Sequence, residues 1–169
     1  MSDTQSATRP FDPVADADAA ARAEARALLA GAGHAALSWI DAADGLPGIS
    51  RIAFGFDPEE GPLTLVSGLA AHAPALRANP ACALMVGEAG PKGDPMNHPR
   101  LMLRARAEFI ARDAAGLPGL RARWLARNPK AKVYIDLPDF SFVRLAPVSA
   151  VLNGGFARAF RLTAEDLAP

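Results

Sequence analysis

From Leu101 to Phe109 apolar and polar positions alternate without a break. Leu101, Leu103, Ala105, Ala107 and Phe109 fall on one side, and Met102, Arg104, Arg106 and Glu108 on the other. A period of two is that of a β-strand with one buried face. Shorter apolar runs at residues 34–40, 49–56, 63–67, 81–86, 140–145 and 157–162 are divided by clusters of Gly, Pro and Asp. They predict further strands, the first three as an antiparallel meander. Asn153-Gly154-Gly155 is a turn, because glycine accepts positive φ. Phe156 and Arg158 follow it at alternating positions, on one side, which turn chemistry does not explain.

Helical texture is confined to three places. After Asp12-Pro13, which resembles a cap followed by proline at the first helical position, Ala, Arg and Glu dominate to Ala30, and Gly31 and Gly33 end the helix. Residues 69–79 predict a short helix with Ser67 near its start, in which Pro74 fits only in the first turn or as a kink. Residues 113–128 predict a third. Residues 1–11 read as a disordered tail and 87–99 as a loop. So few residues separate successive strands that repeated crossover helices do not fit. A small antiparallel barrel with peripheral helices is the economical fold, a single domain over residues 12–169.

Composition narrows the function. The chain has 169 residues, 18 basic and 18 acidic, for a net charge of zero. Neither nucleic acid nor an anionic membrane is the expected partner, since both call for a basic excess. No apolar run approaches the ~18 residues of a membrane span. The polar, acidic N-terminus is unlike a secretory signal, so a cytoplasmic protein is expected. The one cysteine, Cys82, excludes a disulfide framework and a cysteine-cluster zinc site. Walker, Rossmann, paired-histidine and serine-elbow motifs are absent, His34, His72 and His98 lack metal-ligand spacing, and no metal site is expected.

Three features carry chemistry. Ser50, Arg51, Ser67 and His72 surround a strand-to-helix junction, where free backbone amides and a two-pronged guanidinium suit a phosphate. A plain cap, an exposed strand residue and a solvated helix residue explain the same set. The segment from Lys92 to Arg100 is either the rim of a site or a loop stiffened by prolines. Cys82, in an apolar strand, reads as a small core residue.

The runs SRIAFGFDPEEGPLTLVSGLAAHAPALRANPACALMVGE, DPMNHPRLML, NPKAKVYIDLPDFSFVRL and LNGGFARAF, in that order, resemble the FMN-binding split-barrel family related to pyridoxamine 5′-phosphate oxidase. More narrowly the last three of these runs resemble its haem-utilisation (HugZ-like) branch, and the resemblance as a whole covers about residues 20–162. The resemblance implies an α+β, mainly β fold, a six-stranded antiparallel split barrel with an N-terminal helix. It also implies a homodimer with FMN in clefts at the subunit interface. Arg51, Ser67 and His72 match the phosphate-holding positions, with His72 where the wider family has Lys. Ile52 and Ala53 would run along the flavin, and Arg100 and Asn153 would approach from the partner. The segment VLNGGFARAF replaces the oxidase's Trp-Gln-Gly substrate pattern. Longer relatives of the branch continue into a second α/β domain with a haem-ligating histidine, and the present sequence, ending at Pro169, resembles a short form. The leading expectation is an FMN-dependent oxidoreductase acting on an unknown small substrate, with no catalytic residue assigned. The alternatives are a haem-binding or haem-degrading protein using His34, His72 or His98, and a dimeric flavin- or haem-binding module without turnover.

Overall fold

The computed structural model describes residues 12–169, so the expected tail at residues 1–11 lies outside the described residues. The first helix starts later than Pro13. Ala15–Asp16 forms a two-residue strand, β1, and helix α1 spans Ala19–Gly31. Asp18 is the cap: it is extended, and its side chain accepts from the Ala21 amide at 2.7 Å. Asp12 instead accepts from the Val14 amide and pairs with Arg161. Ala21, Ala25 and Leu29, each four residues apart, make the buried stripe of α1.

The meander forms as read, with one break. β2 (His34–Ile40) pairs antiparallel with β3 (Pro47–Ala53), but the run 49–56 does not continue as one strand. Phe54 turns wholly into the core and its amide donates to Gly33 O, so Gly55–Asp57 is a separate strand, β4. β4 pairs with β5 (Gly61–Ser67). Helix α2 (His72–Ala78) begins three residues later than Leu69, and Pro74 sits in its first turn, where no amide donor is needed. β6 (Ala81–Val86) and β7 (Arg100–Phe109) follow, with Leu101, Leu103, Ala105 and Ala107 buried as the alternation requires. Helix α3 (Leu117–Arg127) is shorter than residues 113–128, and a 3-10 turn at Pro129–Val133 follows it.

The largest departure is β8, Phe140–Asn153, which runs 14 residues rather than ending at Leu145. Pro147 falls inside the strand, where proline lacks the amide donor of the ladder. The strand accommodates it with a bulge: Arg104 pairs with Ser149 and Ala105 with Pro147, which leaves Val148 unopposed. β9 (Ala159–Thr163) closes the last hairpin and pairs in parallel with β1.

The main strand order is β1-β9-β8-β7-β6-β2-β3, with β5 joined to β8 and β4 to β5. Six of these strands, in the order β3-β2-β6-β7-β8-β5, trace the barrel, and β1, β4 and β9 are additions to the six expected. The ring does not close by a backbone ladder. Between β3 and β5 the buried Thr64 hydroxyl donates to Ala53 O at 2.7 Å across the gap. Leu37, Phe54, Leu84, Leu103, Leu145 and Leu152 fill the main core under α1. A second cluster, Leu63, Leu65, Leu120, Trp124, Ile135 and Phe142, packs beneath α3, with Trp124 edge-on to Phe142 at 5.7 Å. No helix among the described residues is long and apolar enough to cross a membrane.

α3 is fastened by a buried carboxylate. Asp57, at the end of β4, accepts from the Glu59 and Glu60 amides and takes two guanidinium hydrogen bonds from Arg123, at 2.8 and 3.0 Å. Burial alone would raise its pKa, but Arg123 and the Glu59 amide outweigh it and hold the carboxyl below the ordinary value. A depressed carboxyl stabilises the fold above its unfolded pKa of about 3.9 and loses that contribution as pH falls through the lower folded value. Asp57→Asn is expected to cost about 2 kcal/mol at pH 7 in urea denaturation, with the difference shrinking below about pH 4. An unchanged midpoint at pH 7 would remove the pair from the stability of the fold.

Candidate functional site

Side chains that do not enter the core stand on the other face of the sheet. The strand registers place Arg51, Ala36, Met85, Met102, Val151 and Arg161 in one row across β3, β2, β6, β7, β8 and β9. The row has an apolar middle and a guanidinium at each end. Ile49 and Met85 are exposed on this face, at 74% and 47%. Two cavities open on it. One, of about 640 Å³, lies beyond Met102 and is lined by Arg22, Arg104 and Arg161 among others. The other, of about 470 Å³, lies at the Arg51 end, between the strands and the loop before β7.

The Arg51 cleft gathers residues from four separate places in the chain. Arg51 comes from β3, His34 and Ala36 from β2, Met85 from β6, and Glu88, Met96, His98 and Arg100 from the loop and the start of β7. Three of its polar groups are held by the protein. His34 Nε2 lies 2.9 Å from Glu88 Oε1, and His98 Nε2 lies 3.0 Å from Lys92 O. Arg100 donates to Met96 O at 3.0 Å, so it braces the loop from within. Among the described residues Arg51 has no hydrogen-bond or ion-pair partner, unlike Arg112, Arg121, Arg123 and Arg144. A free guanidinium beside the apolar Ala36 and Met85 suits an anionic group on a partly apolar ligand.

The seven residues named from the sequence do not converge on one point. Arg51 and Arg100 share the cleft, and Asn153 is the cross-strand partner of Arg100. Ile52 points into the core, and Ala53 O accepts from Thr64. Ser67 and His72 do not line the cleft. Ser67 does not cap α2, whose first turn has no side-chain cap. Its hydroxyl donates to Asp139 at 2.5 Å and accepts from the Leu69 amide. His72 is buried on α2 rather than solvated. The loop from Lys92 to Arg100 is a cleft wall, since it supplies Pro95, Met96, His98 and Arg100. Met85, Glu88 and Asp139 were missed. Met85 is readable from the strand period, but nothing local marks Asp139 as the partner of a serine 72 positions away. Among the described residues no group of three or more His, Cys, Asp or Glu side chains is placed to hold a metal ion.

The comparison with known proteins turns on how much of this sheet is shared. The family model described as pyridoxamine 5′-phosphate oxidase matches residues 21–152, from α1 almost to the end of β8. The chain belongs to the pyridoxamine 5′-phosphate oxidase family. It is similar to the non-canonical heme oxygenase HOZ, chloroplastic, of Arabidopsis thaliana, 32% identical over 117 residues, 69% of this chain and 35% of that protein. It is also similar to the protein Atu2129, of unknown function, from Agrobacterium tumefaciens, with 33% identity, a TM-score of 0.79, and coverage of 90% of this chain and 62% of the other. A heme binding protein from Mycobacterium smegmatis is 27% identical with a TM-score of 0.75, over 91% of this chain and 61% of its own. The chain spans about a third of the length of the curated relative and about three-fifths of each of these two structures. The resemblance drawn from the four motifs holds, and so does the split-barrel fold.

Burial lowers the His72 pKa, because the charged imidazole would lose its water. The unfolded chain therefore binds the proton more readily, and stability falls as pH drops from about 6.5 towards the lower folded value. His72→Gln is expected to flatten that part of the stability–pH profile, measured by denaturant titration between pH 7.5 and 5. A slope identical to that of the parent protein would mean that His72 is not the titrating group.

Proposed function

We propose that the chain binds haem in the Arg51 cleft and serves in haem utilisation. One observation carries the reading: two imidazoles, His34 and His98, line the same cavity as two guanidiniums, Arg51 and Arg100. A haem needs an axial ligand for its iron and cations for its carboxylates, on an apolar floor. His34, on releasing Glu88, or His98, on releasing the Lys92 carbonyl, would supply the imidazole, Arg51 the carboxylate contact, and Ala36 and Met85 the floor. His72 drops out of the three histidines, being buried in α2. The similarity to a heme oxygenase and a heme binding protein supports the same reading. Bound haem would supply redox chemistry at its iron. The part of this chain is to hold the ring, fix its edge through Arg51 and shield it.

FMN is the second reading, favoured by the free guanidinium of Arg51, which suits a phosphate as well as a carboxylate. It stands behind haem because Ser67 and His72, expected to help hold the phosphate, do not line the cleft, whereas His34 and His98 do. Haem thus moves ahead of the flavin oxidoreductase that the sequence suggests first. The same proposal includes a homodimer formed through the exposed face of the sheet, supported by the apolar row centred on Met85 and Met102 and by exposed Ile49. It also includes a reducing, cytoplasmic setting, in keeping with an unpaired Cys82 whose thiol burial pushes up to about 11.

Titration of the full chain with haemin should develop a Soret band at one equivalent per subunit. Arg51→Ala should weaken binding by about 1.5–3 kcal/mol, and Ser67→Ala should leave it unchanged. Tight FMN uptake without a haemin spectrum would reverse the order of the two readings. Sedimentation velocity tests the assembly separately: the parent chain should run as a dimer and Ile49→Lys as a monomer, and a monomeric parent would end the dimer proposal.

A further inference from the structure

The tip between β8 and β9 is built at some cost. Gly155 has φ +107° and Ala157 φ +56°, and among the described residues Ala157 is the one non-glycine residue with positive φ. An L-residue in that region brings its Cβ against the carbonyl oxygen. The conformation is nonetheless held firmly. Gly154 N donates to Arg158 O at 2.8 Å and Arg158 N to Gly155 O at 3.2 Å. The Arg158 guanidinium donates to Gly154 O and to Glu24 of α1, each at 3.2 Å. Between the two left-handed residues stands Phe156, 87% exposed. Closing a hairpin requires neither feature: glycine at 157 would remove the strain, and a polar residue at 156 would avoid exposing a ring.

The position of the tip relates it to the cleft. A Cβ on Gly155 would come 3.1 Å from Asn97 O, so the tip is seated directly on the Pro95–Asn97 turn. Met96 of that turn lines the Arg51 cleft, and its carbonyl takes the hydrogen bond from Arg100. The tip is therefore braced against a wall of the cleft. Its neighbours in sequence are Asn153, Gly154, Gly155, Ala157 and Arg158, so no second large apolar side chain flanks Phe156 along the tip, and the exposed Met96 stands on the turn against which the tip is seated.

We propose that Phe156 is a preset stacking residue, which covers one face of the planar ligand held in the Arg51 cleft. This rests on reading that cleft as the site of a flat, anionic cofactor. A backbone held in place before the ligand arrives leaves only the two side-chain torsions of Phe156 to be ordered on binding, and offset stacking on a conjugated system favours a flat partner over an aliphatic one. The strain at Ala157 and the exposure of Phe156 then have one explanation: both hold the ring out, ready for use.

The test is haemin titration, with FMN in parallel, of the full chain and of Phe156→Ala, Phe156→Tyr, Ala157→Gly and Arg51→Ala. Phe156→Ala should bind between about two- and tenfold more weakly, the range that ring stacking supplies, with an unchanged Tm because the ring is exposed. Phe156→Tyr should bind as the parent does. Ala157→Gly should keep or raise Tm, since the strain is gone, and still bind more weakly because the backbone that presents the ring is freer. If Phe156→Ala binds like the parent while Arg51→Ala does not, the stacking role is overturned and the cleft reading stands. If the parent takes up neither haemin nor FMN, both fall. A lowered Tm in Phe156→Ala would make the ring structural and overturn the proposal as well.

Discussion

The structure depends on one strand serving three neighbours. β8 pairs with β7 along one edge from Val143 to Asn153, while its other edge is divided, Phe140–Arg144 going to β5 and Ser149–Asn153 to β9. A straight, flat strand could not do this, because a sheet continued along one edge has a single next neighbour. The change of partner falls at Pro147 and Val148, where a missing amide and an unopposed residue bend the strand. The two hydrophobic clusters are separate for a different reason, because they lie on opposite faces of β5 and β8: Leu63, Leu65 and Phe142 face α3, whereas Val66, Val143 and Leu145 face the main core.

Burying one face of so many strands leaves the opposite face to carry function. On β7 the inward set is Leu101, Leu103, Ala105 and Ala107, and the register then fixes what stands outside on every neighbouring strand. Arg51 and Met85 are brought near one another by the pairing of both β3 and β6 with β2, not by any local motif. A net charge of zero hides this arrangement. Most guanidiniums are consumed by carboxylates or carbonyls at the surface, as with Arg22 and Asp166 or Arg121 and Asp136. Those that remain free become conspicuous.

What could be read from the sequence followed the range of the cause. Period-two alternation is local, so β7 and its buried side were legible residue by residue. The helix start was misplaced by several positions because Asp12 and Asp18 are both fair caps, and only the pairing of Ala15 with Phe160 decides between them. β8 was cut short because a proline ordinarily stops a strand, and the bulge that rescues it depends on β7. The cleft was half legible. Arg51 and Arg100 were named and meet, whereas the engagement of Ser67 by Asp139 depends on a chain reversal far along the sequence.

The seam of the barrel has a dynamic consequence. β3 is the terminal strand of the order, hydrogen-bonded to β2 alone and tied to β5 through a side chain rather than a ladder. Amides on such an edge exchange with solvent through small local openings, well before the molecule as a whole unfolds. The strand that supplies Arg51 is thus among the most readily loosened of the barrel. Occupancy of the cleft and protection of this edge would be thermodynamically linked: a group that gripped Arg51 would also quiet β3, and loosening β3 would weaken that grip.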